Sequence, residues 1–435
     1  TMHGHKRIDN YYWMRLSDKQ KSFKQMDNQT ERVLEYIKQE NDYTDQNLSN
    51  TKSLQKQLFD EIVNRIKKDD NTVPYFQNGY YYYTKYKKDG EYAIYCRKKG
   101  TLNASEEIMI DANQLSKDYD YFSIGGRYVS PNNKWLAYSA DTLGRRIYSI
   151  YFKNLKTNQT LEYSIPQASP SIAWANDSET IFYTRQNEIS LNPDKIFRHK
   201  LNSNIANDYL VYEEEDTEYW SGVYRSKSGQ YIIIYNQGHS SSDYHFLNAD
   251  RPDENFTNFS TRKDNHKYSI LHFQDKFYVL TDLDAPNNRL METSIYNTES
   301  SNWREIIPHR ETEQILEIDV FINHLVLNER RNGLSMLRII EQNSMSEHYI
   351  EFNEESYFSY ISTNKEFDTN VLRFGYTSMV TPYSTFDYDM KTKGKTLLKR
   401  QEIVGGYNGN EYHTERINAI SRDGEKIPIS LVYRK

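Results

Sequence analysis

A strand-to-helix elbow that exposes a nucleophilic serine needs the pattern Gly-x-Ser-x-Gly, because glycines on both sides let the backbone take a strained turn. The nearest stretch is Gly238-His239-Ser240-Ser241-Ser242. It lacks the second glycine and follows a strand pattern inside a repeat, so a polar loop between strands is the better reading. Cys96 is the only cysteine. It sits in a strand pattern with no thiol-nucleophile motif around it and reads as a small buried residue. His3-Gly4-His5 and the pair His239 and His245 have metal-binding side chains but no third ligand at a regular spacing. Neither metal nor cofactor is expected. Triplets such as Asn158-Gln159-Thr160 follow from an asparagine-rich composition and say little about glycosylation.

Two charged stretches remain. Glu213, Glu214, Glu215, Asp216 and Glu218 form the densest acidic run, whose plain reading is a solvated loop. Asp141, Arg145 and Arg146 lie in ADTLGRRIY (residues 140–148), a loop that follows a strand.

The elements that would position these residues repeat. VSPNNKWLAYS (129–139) carries turn chemistry at Pro131, Asn132 and Asn133 followed by an alternating strand. The same turn-then-strand signal returns with markers at Asn78, Asp177, Ser228, Asp275, Asn323 and, less cleanly, Glu366. With Asn132 these make seven copies, 43 to 54 residues apart. A weaker strand pair follows each copy, which gives four short antiparallel strands per unit. That is the period of a β-propeller blade, and it predicts an all-β, seven-bladed β-propeller over 72–404.

Residues 1–71 differ. Asp27 to Thr30 is a helix start signal ahead of Val33, Leu34, Tyr36 and Ile37. From Thr51 to Lys68, Leu54, Leu58, Ile62 and Ile66 fall four apart, with Thr51 placed to cap. After the glycines at 405, 406 and 409, residues 405–435 form a linker and a hairpin. Its turn is Asp423-Gly424, and Ile427, Ile429 and Leu431 share one face of its second strand.

Composition narrows the function classes. The net charge of -6 offers no basic face for a phosphate backbone, so no nucleic-acid partner is expected. No apolar run is long enough for a membrane span. The 39 tyrosines suit pleated, half-buried surfaces, and a hydrophobic fraction of 37% suits thin blades better than one central core. A lone cysteine excludes an intrachain disulfide and fits a cytoplasmic address, or a periplasmic one if a leader preceded Thr1.

HGHKRIDNYYWMR (3–15), DEIVNRI (60–66), EYAIYCR (91–97), WANDSETIFYTR (174–185), LVYEEEDTEY (210–219), WREIIPHR (303–310), LRFGYTS (372–378) and RDGEKIPISLVYRK (422–435) are spread over the chain. Together they resemble the oligopeptidase B (protease II) branch of the prolyl oligopeptidase family of serine peptidases. The resemblance implies a propeller that caps an α/β-hydrolase domain begun by the last hairpin. It places the nucleophile, aspartate and histidine later than these 435 residues, so no catalytic residue is expected here. The expected partners are that hydrolase domain of the same protein, onto which residues 1–71 would pack, and short basic peptides cut after Arg or Lys. On this reading Glu213, Glu214 and Glu215 would raise the local concentration of cationic peptides. Asp141, Arg145 and Arg146 would face the hydrolase domain and carry ion pairs that close the two domains. The alternative is a stand-alone propeller used as a protein- or peptide-binding scaffold, which predicts a buried Leu54/Leu58/Ile62/Ile66 face. A channel glycosidase lacks the paired carboxylates it would need.

Overall fold

The computed structural model describes residues 4–21, 26–187 and 190–435. The chain divides into two compact units, Thr1–Lys67 and Lys68–Lys435, so the last hairpin clusters with the sheets.

The first unit is helical. Helix α1, Asn28–Asn47, starts where Asp27 accepts the Thr30 backbone N–H at 2.8 Å, which satisfies one of the free donors of the first turn. Val33 is buried, and Trp13 lies edge-on to Tyr36. Helix α2, Lys52–Asn64, is shorter than the predicted span. Thr51 does not cap it. A short 3-10 turn precedes α2, and there the Thr51 hydroxyl donates to the Leu48 carbonyl at 2.7 Å. Within this unit Leu54, Leu58, Ile62 and Ile66 stay 46–60% exposed. Among the described residues no helix is long and apolar enough to cross a membrane.

The second unit is almost entirely antiparallel sheet. Sheet 1 has five strands within residues 70–111, sheet 2 seven within 123–213, and sheets 3 to 6 four each within 220–258, 268–307, 313–349 and 357–400. Residues 70–400 thus form six sheets where the sequence predicts seven blades. The second and third repeats run together into sheet 2, because strand Tyr148–Asn154 pairs with Ile165–Trp174 at Tyr148↔Ala168 and Ile150↔Ile165. Sheet 2 is nevertheless folded on itself. Its first strand, Ser123–Val129, touches its fourth: Trp174 Nε1 donates to the Tyr128 carbonyl at 2.9 Å. A Cβ on Gly126 would stand 2.0 Å from the Pro170 carbonyl oxygen. Ile150 and Phe152 share one buried cluster with Ile172, Trp174 and Tyr183.

Neighbouring sheets bury their faces against each other, each junction with its own apolar cluster. Met109 of sheet 1 joins Leu136 of sheet 2, Phe182 joins Ile232 of sheet 3, and Ile233 joins Phe277 of sheet 4. Leu290 joins Leu327 of sheet 5, and Val326 joins Phe374 of sheet 6. The contacts of sheet 6 with sheet 1 are polar. Arg373 donates to the Pro74 carbonyl at 2.6 Å, Lys399 pairs with Asp70 at 2.7 Å, and the Asn78 N–H donates to Glu366 at 3.1 Å.

Antiparallel order gives the sheets two ends. The turn markers read in the sequence each link two consecutive antiparallel strands, Asn78 the second and third of sheet 1, Asp177 the fourth and fifth of sheet 2 and the others the first and second of their sheets, and they gather at one end, where Asn78 Nδ2 donates to the Pro131 carbonyl (2.7 Å) and Ser228 Oγ meets His272 Nδ1 (2.8 Å). The links that follow each marked pair of strands, and those from one sheet to the next, gather at the opposite, loop end.

Candidate functional site

Both charged stretches singled out in the sequence, 140–148 and 213–218, lie at the loop end. Asp141 ends strand Trp135–Asp141 and is 1% exposed. One carboxylate oxygen accepts the N–H groups of Leu143 (2.8 Å) and Gly144 (3.1 Å), and the other accepts that of Arg146 (2.7 Å). Asp141 therefore shapes its own loop, and its oxygens face inward. Arg146, in the left-handed region at φ 58°, lines an open cleft of about 420 Å³ with Tyr148, Pro170, Trp220 and Tyr235. Arg145 is half-buried beside it.

The acidic run separates by environment. Glu213 is exposed and pairs with Lys195 at 2.9 Å. Glu215 is exposed. Glu214 is buried: it accepts from the Tyr212 hydroxyl at 3.0 Å and pairs with Arg262, which also pairs with Asp243 and lies 3.8 Å over the Tyr219 ring. Asn236 completes this group by donating to Asp243 (2.6 Å) and to the Tyr212 oxygen (2.7 Å). Burial raises the Asp243 pKa, but hydrogen bonds from His245, Arg262 and Asn236 outweigh it and hold the carboxyl below its ordinary range. Burial, with Asp243 and Glu214 nearby, pushes the Tyr212 phenol well up, so it stays a donor. Sequence reasoning missed Arg262, Asp243 and Asn236, which stand far from Glu214 in the chain and carry no motif.

The nucleophile candidates fail on geometry. Gly238–Ser241 is a tight loop between two strands, closed by the Gly238 N–H on the Ser241 carbonyl at 2.9 Å, and no helix follows it. Cys96 is fully buried, and burial first, then Glu106, pushes its thiol up to about 12. A hydroxyl–imidazole–carboxylate row does occur: Tyr163 OH meets His199 Nε2 at 3.0 Å, and His199 Nδ1 meets Asp208 at 2.6 Å. The His199 and Asp208 side chains are 0% and 2% exposed, Phe152 stacks on the imidazole, and the hydroxyl is a phenol. This row is interior packing. His245 lies 3.4 Å from Asp243, His3 lies outside the described residues, and no cluster of three metal-ligating side chains occurs among those described.

The turn end holds a cavity of about 530 Å³ to which all six sheets contribute, for example through Tyr82, Trp174, Tyr224, His272, Val320 and Lys365. Arg127, Arg225, Lys227 and Lys365 line it, with no carboxylate among the described lining residues. Lys227 of sheet 3 reaches past sheet 4 to Asp319 of sheet 5 at 2.8 Å and lies 3.5 Å over the Phe321 ring.

The hairpin Tyr412–Ile420 and Lys426–Arg434 also sits at the loop end. The Arg416 N–H donates to Glu355 at 3.1 Å, its guanidinium donates to the Asn332 carbonyl, and Ser356 donates to Ser430 at 2.7 Å. Ile417, Ile420, Ile427 and Val432 remain 44–65% exposed.

Comparison with known proteins agrees with this architecture. The chain is 35% identical over 450 residues to dipeptidyl aminopeptidase BI of Pseudoxanthomonas mexicana, covering 100% of this chain and 61% of that protein. It is 27% identical over 439 residues to protease 2 of Moraxella lacunata, covering 99% and 61%. Among solved structures it is similar to oligopeptidase B from Trypanosoma brucei with covalently bound antipain in a closed form (TM-score 0.87, 26% identity, 98% of this chain and 61% of that one). It is equally similar to oligopeptidase B from Leishmania major (TM-score 0.87, 25% identity, 99% and 61%). The chain thus spans about three-fifths of the length of these relatives. Residues 1–401 match the family model for the prolyl oligopeptidase N-terminal beta-propeller domain, and the chain belongs to that family.

Proposed function

We propose that this chain is the substrate-gating part of an oligopeptidase B-like serine peptidase that cuts short peptides after Arg or Lys, with its reactive serine, histidine and aspartate on an α/β-hydrolase domain that the last hairpin begins. The observation that carries this reading is the seat of that hairpin. It is tied to the loop end through Arg416 and Ser430 while Ile420 and Ile427 stay 65% and 50% exposed, as a strand pair does when the rest of its sheet lies alongside it. The loop end, with Arg146, Glu213 and Glu215, is then the face toward the hydrolase domain.

We count seven blades, reading sheet 2 as two blades that share a few hydrogen bonds. The contact of its first and fourth strands and its two turn markers support that count. A ring of this kind would exclude folded proteins and admit short, unstructured peptides. The scaffold reading is the weaker one, because the Leu54/Leu58/Ile62/Ile66 strip stays exposed within its own unit. Incubating these 435 residues with an Arg-containing chromogenic peptide is expected to give no turnover above buffer. Turnover that survives repurification sinks the proposal. In the longer protein, cleavage after Pro in preference to Arg would overturn the specificity.

A further inference from the structure

The cavity at the turn end is built for a negative charge. Lys227 is already neutralised by Asp319, and Arg225 donates to Asn176 Oδ1 (2.5 Å) and the Gly229 carbonyl (3.0 Å). Arg127 and Lys365 are exposed; Arg127 makes no ion pair among the described residues, and Lys365 stands near Glu317 and Asp319 and acts on the Asp319 carboxyl without pairing with it directly. Arg127 is held in place all the same: its guanidinium lies 3.8 Å over the Tyr95 ring and donates to the Gly125 carbonyl at 3.3 Å, which leaves other N–H groups free to donate. Tyr75, Tyr82, Trp174, Tyr224 and Ile270 supply a wall of aromatic and apolar surface. A cavity of about 530 Å³ falls in the size range of small-ligand sites, which combine an apolar lining with a few fixed polar groups.

We propose that this cavity binds the free C-terminal carboxylate of a short peptide, with Arg127 and Lys365 taking the carboxylate and the aromatic wall taking the last apolar side chain. A carboxylate accepts from a guanidinium and an ammonium at once, and such charge-assisted bonds are about twice as strong as neutral ones. A cationic peptide end meets the same lining as repulsion. The site is a property of the sheets alone and holds whether or not the peptidase reading does.

The test is calorimetric titration of the full chain with acetyl-Ala-Ala-Phe as the free acid and as the C-terminal amide, each in low and in high salt. The acid is expected to bind at least tenfold more tightly than the amide, and this preference should shrink as salt screens the charges. The R127Q/K365Q double variant should lose the preference while its far-UV circular dichroism and urea midpoint stay unchanged. Equal binding of acid and amide, no binding of either at millimolar concentration, or a double variant that still discriminates would each overturn the proposal. Inorganic phosphate provides the second arm. Competition only far above the peptide's own dissociation constant supports a peptide-carboxylate site, and phosphate that competes as well as the peptide overturns that assignment.

Discussion

Arg262→Ala should be among the most damaging single changes in the sheet unit, and its cost should depend on pH in a defined direction. Arg262 holds two carboxylates, Glu214 and Asp243, whose side chains are 6% and 5% exposed. Removing the guanidinium leaves both buried carboxylates without the cation that holds them, and breaking a buried ion pair in this way costs about 3–5 kcal/mol. The Arg262 side chain is itself 28% exposed, and Asn236 and Tyr212 still donate to the carboxylates, so the lower end, about 3 kcal/mol, is the expected value at pH 7. The folded-state pKa of Asp243 is depressed below the ordinary aspartate value. A depressed carboxylate contributes stability that is present above its unfolded pKa and lost as pH falls through its folded pKa. The native protein therefore loses this contribution only below about pH 4. In the variant the Arg262 contribution that lowers the Asp243 pKa is gone, so Asp243 takes up its proton at higher pH and becomes a neutral donor. The gap between variant and native protein should then narrow steadily from pH 7 to pH 4. Urea unfolding followed by tryptophan fluorescence at the two pH values reads this directly, and Arg262→Lys, which keeps the charge but loses the planar fork, should fall in between. A gap below about 1 kcal/mol at pH 7, or one that does not change with pH, would refute the assignment of Glu214 and Asp243 as buried counter-ions.

Three further outcomes follow from the same geometry. Gly126→Ala should cost about 3 kcal/mol or more in urea unfolding, because its Cβ would stand 2.0 Å from a backbone carbonyl that has no side-chain freedom to yield; a loss below about 1 kcal/mol would mean that the two strands of sheet 2 do not touch. Lys227→Met leaves half-buried Asp319, its pKa already raised by burial, without the ammonium 2.8 Å away and should destabilise by about 3 kcal/mol at pH 7. Lys227→Met with Asp319→Leu should recover most of that loss, so a double variant as unstable as the single one would count against the pair. Leu58→Glu with Ile62→Glu should shift any self-associated protein toward monomer in analytical ultracentrifugation without changing helix content, since both side chains are exposed.

Much of the fold was legible because its signals are local. Each turn marker combines a polar or left-handed residue with an alternating strand, and from Asn78 to Glu366 each marker falls in the link between two consecutive strands. Asp27 before α1 was readable for the same reason, since a capping carboxylate acts within three residues. The pairing of Tyr148 with Ala168 was not readable. It depends on how far one sheet folds over its neighbour, which local periodicity does not encode. Thr51 misled because α2 is entered through a 3-10 turn, where the hydroxyl finds the Leu48 carbonyl before it can reach an N–H of the helix.

The charged site was harder to read, and the acidic run shows why. Five acidic residues within six positions look like one patch, yet Glu213 points to Lys195 at the surface, Glu214 turns inward to Arg262, and Glu215 is exposed again. Successive residues leaving a strand alternate sides, so a run in sequence becomes two populations in space. One population carries net charge to the loop end, and the other is cancelled inside. Asp141 follows the same logic at closer range: three backbone N–H groups within five residues claim its oxygens before any distant arginine can. The cationic cavity at the opposite end is the converse case. Arg127, Arg225, Lys227 and Lys365 come from three sheets and share no sequence signal, and only closing the sheets around one space brings them together. Charge that matters for binding in this fold is set by which sheet end a residue reaches and whether a local partner has already taken it.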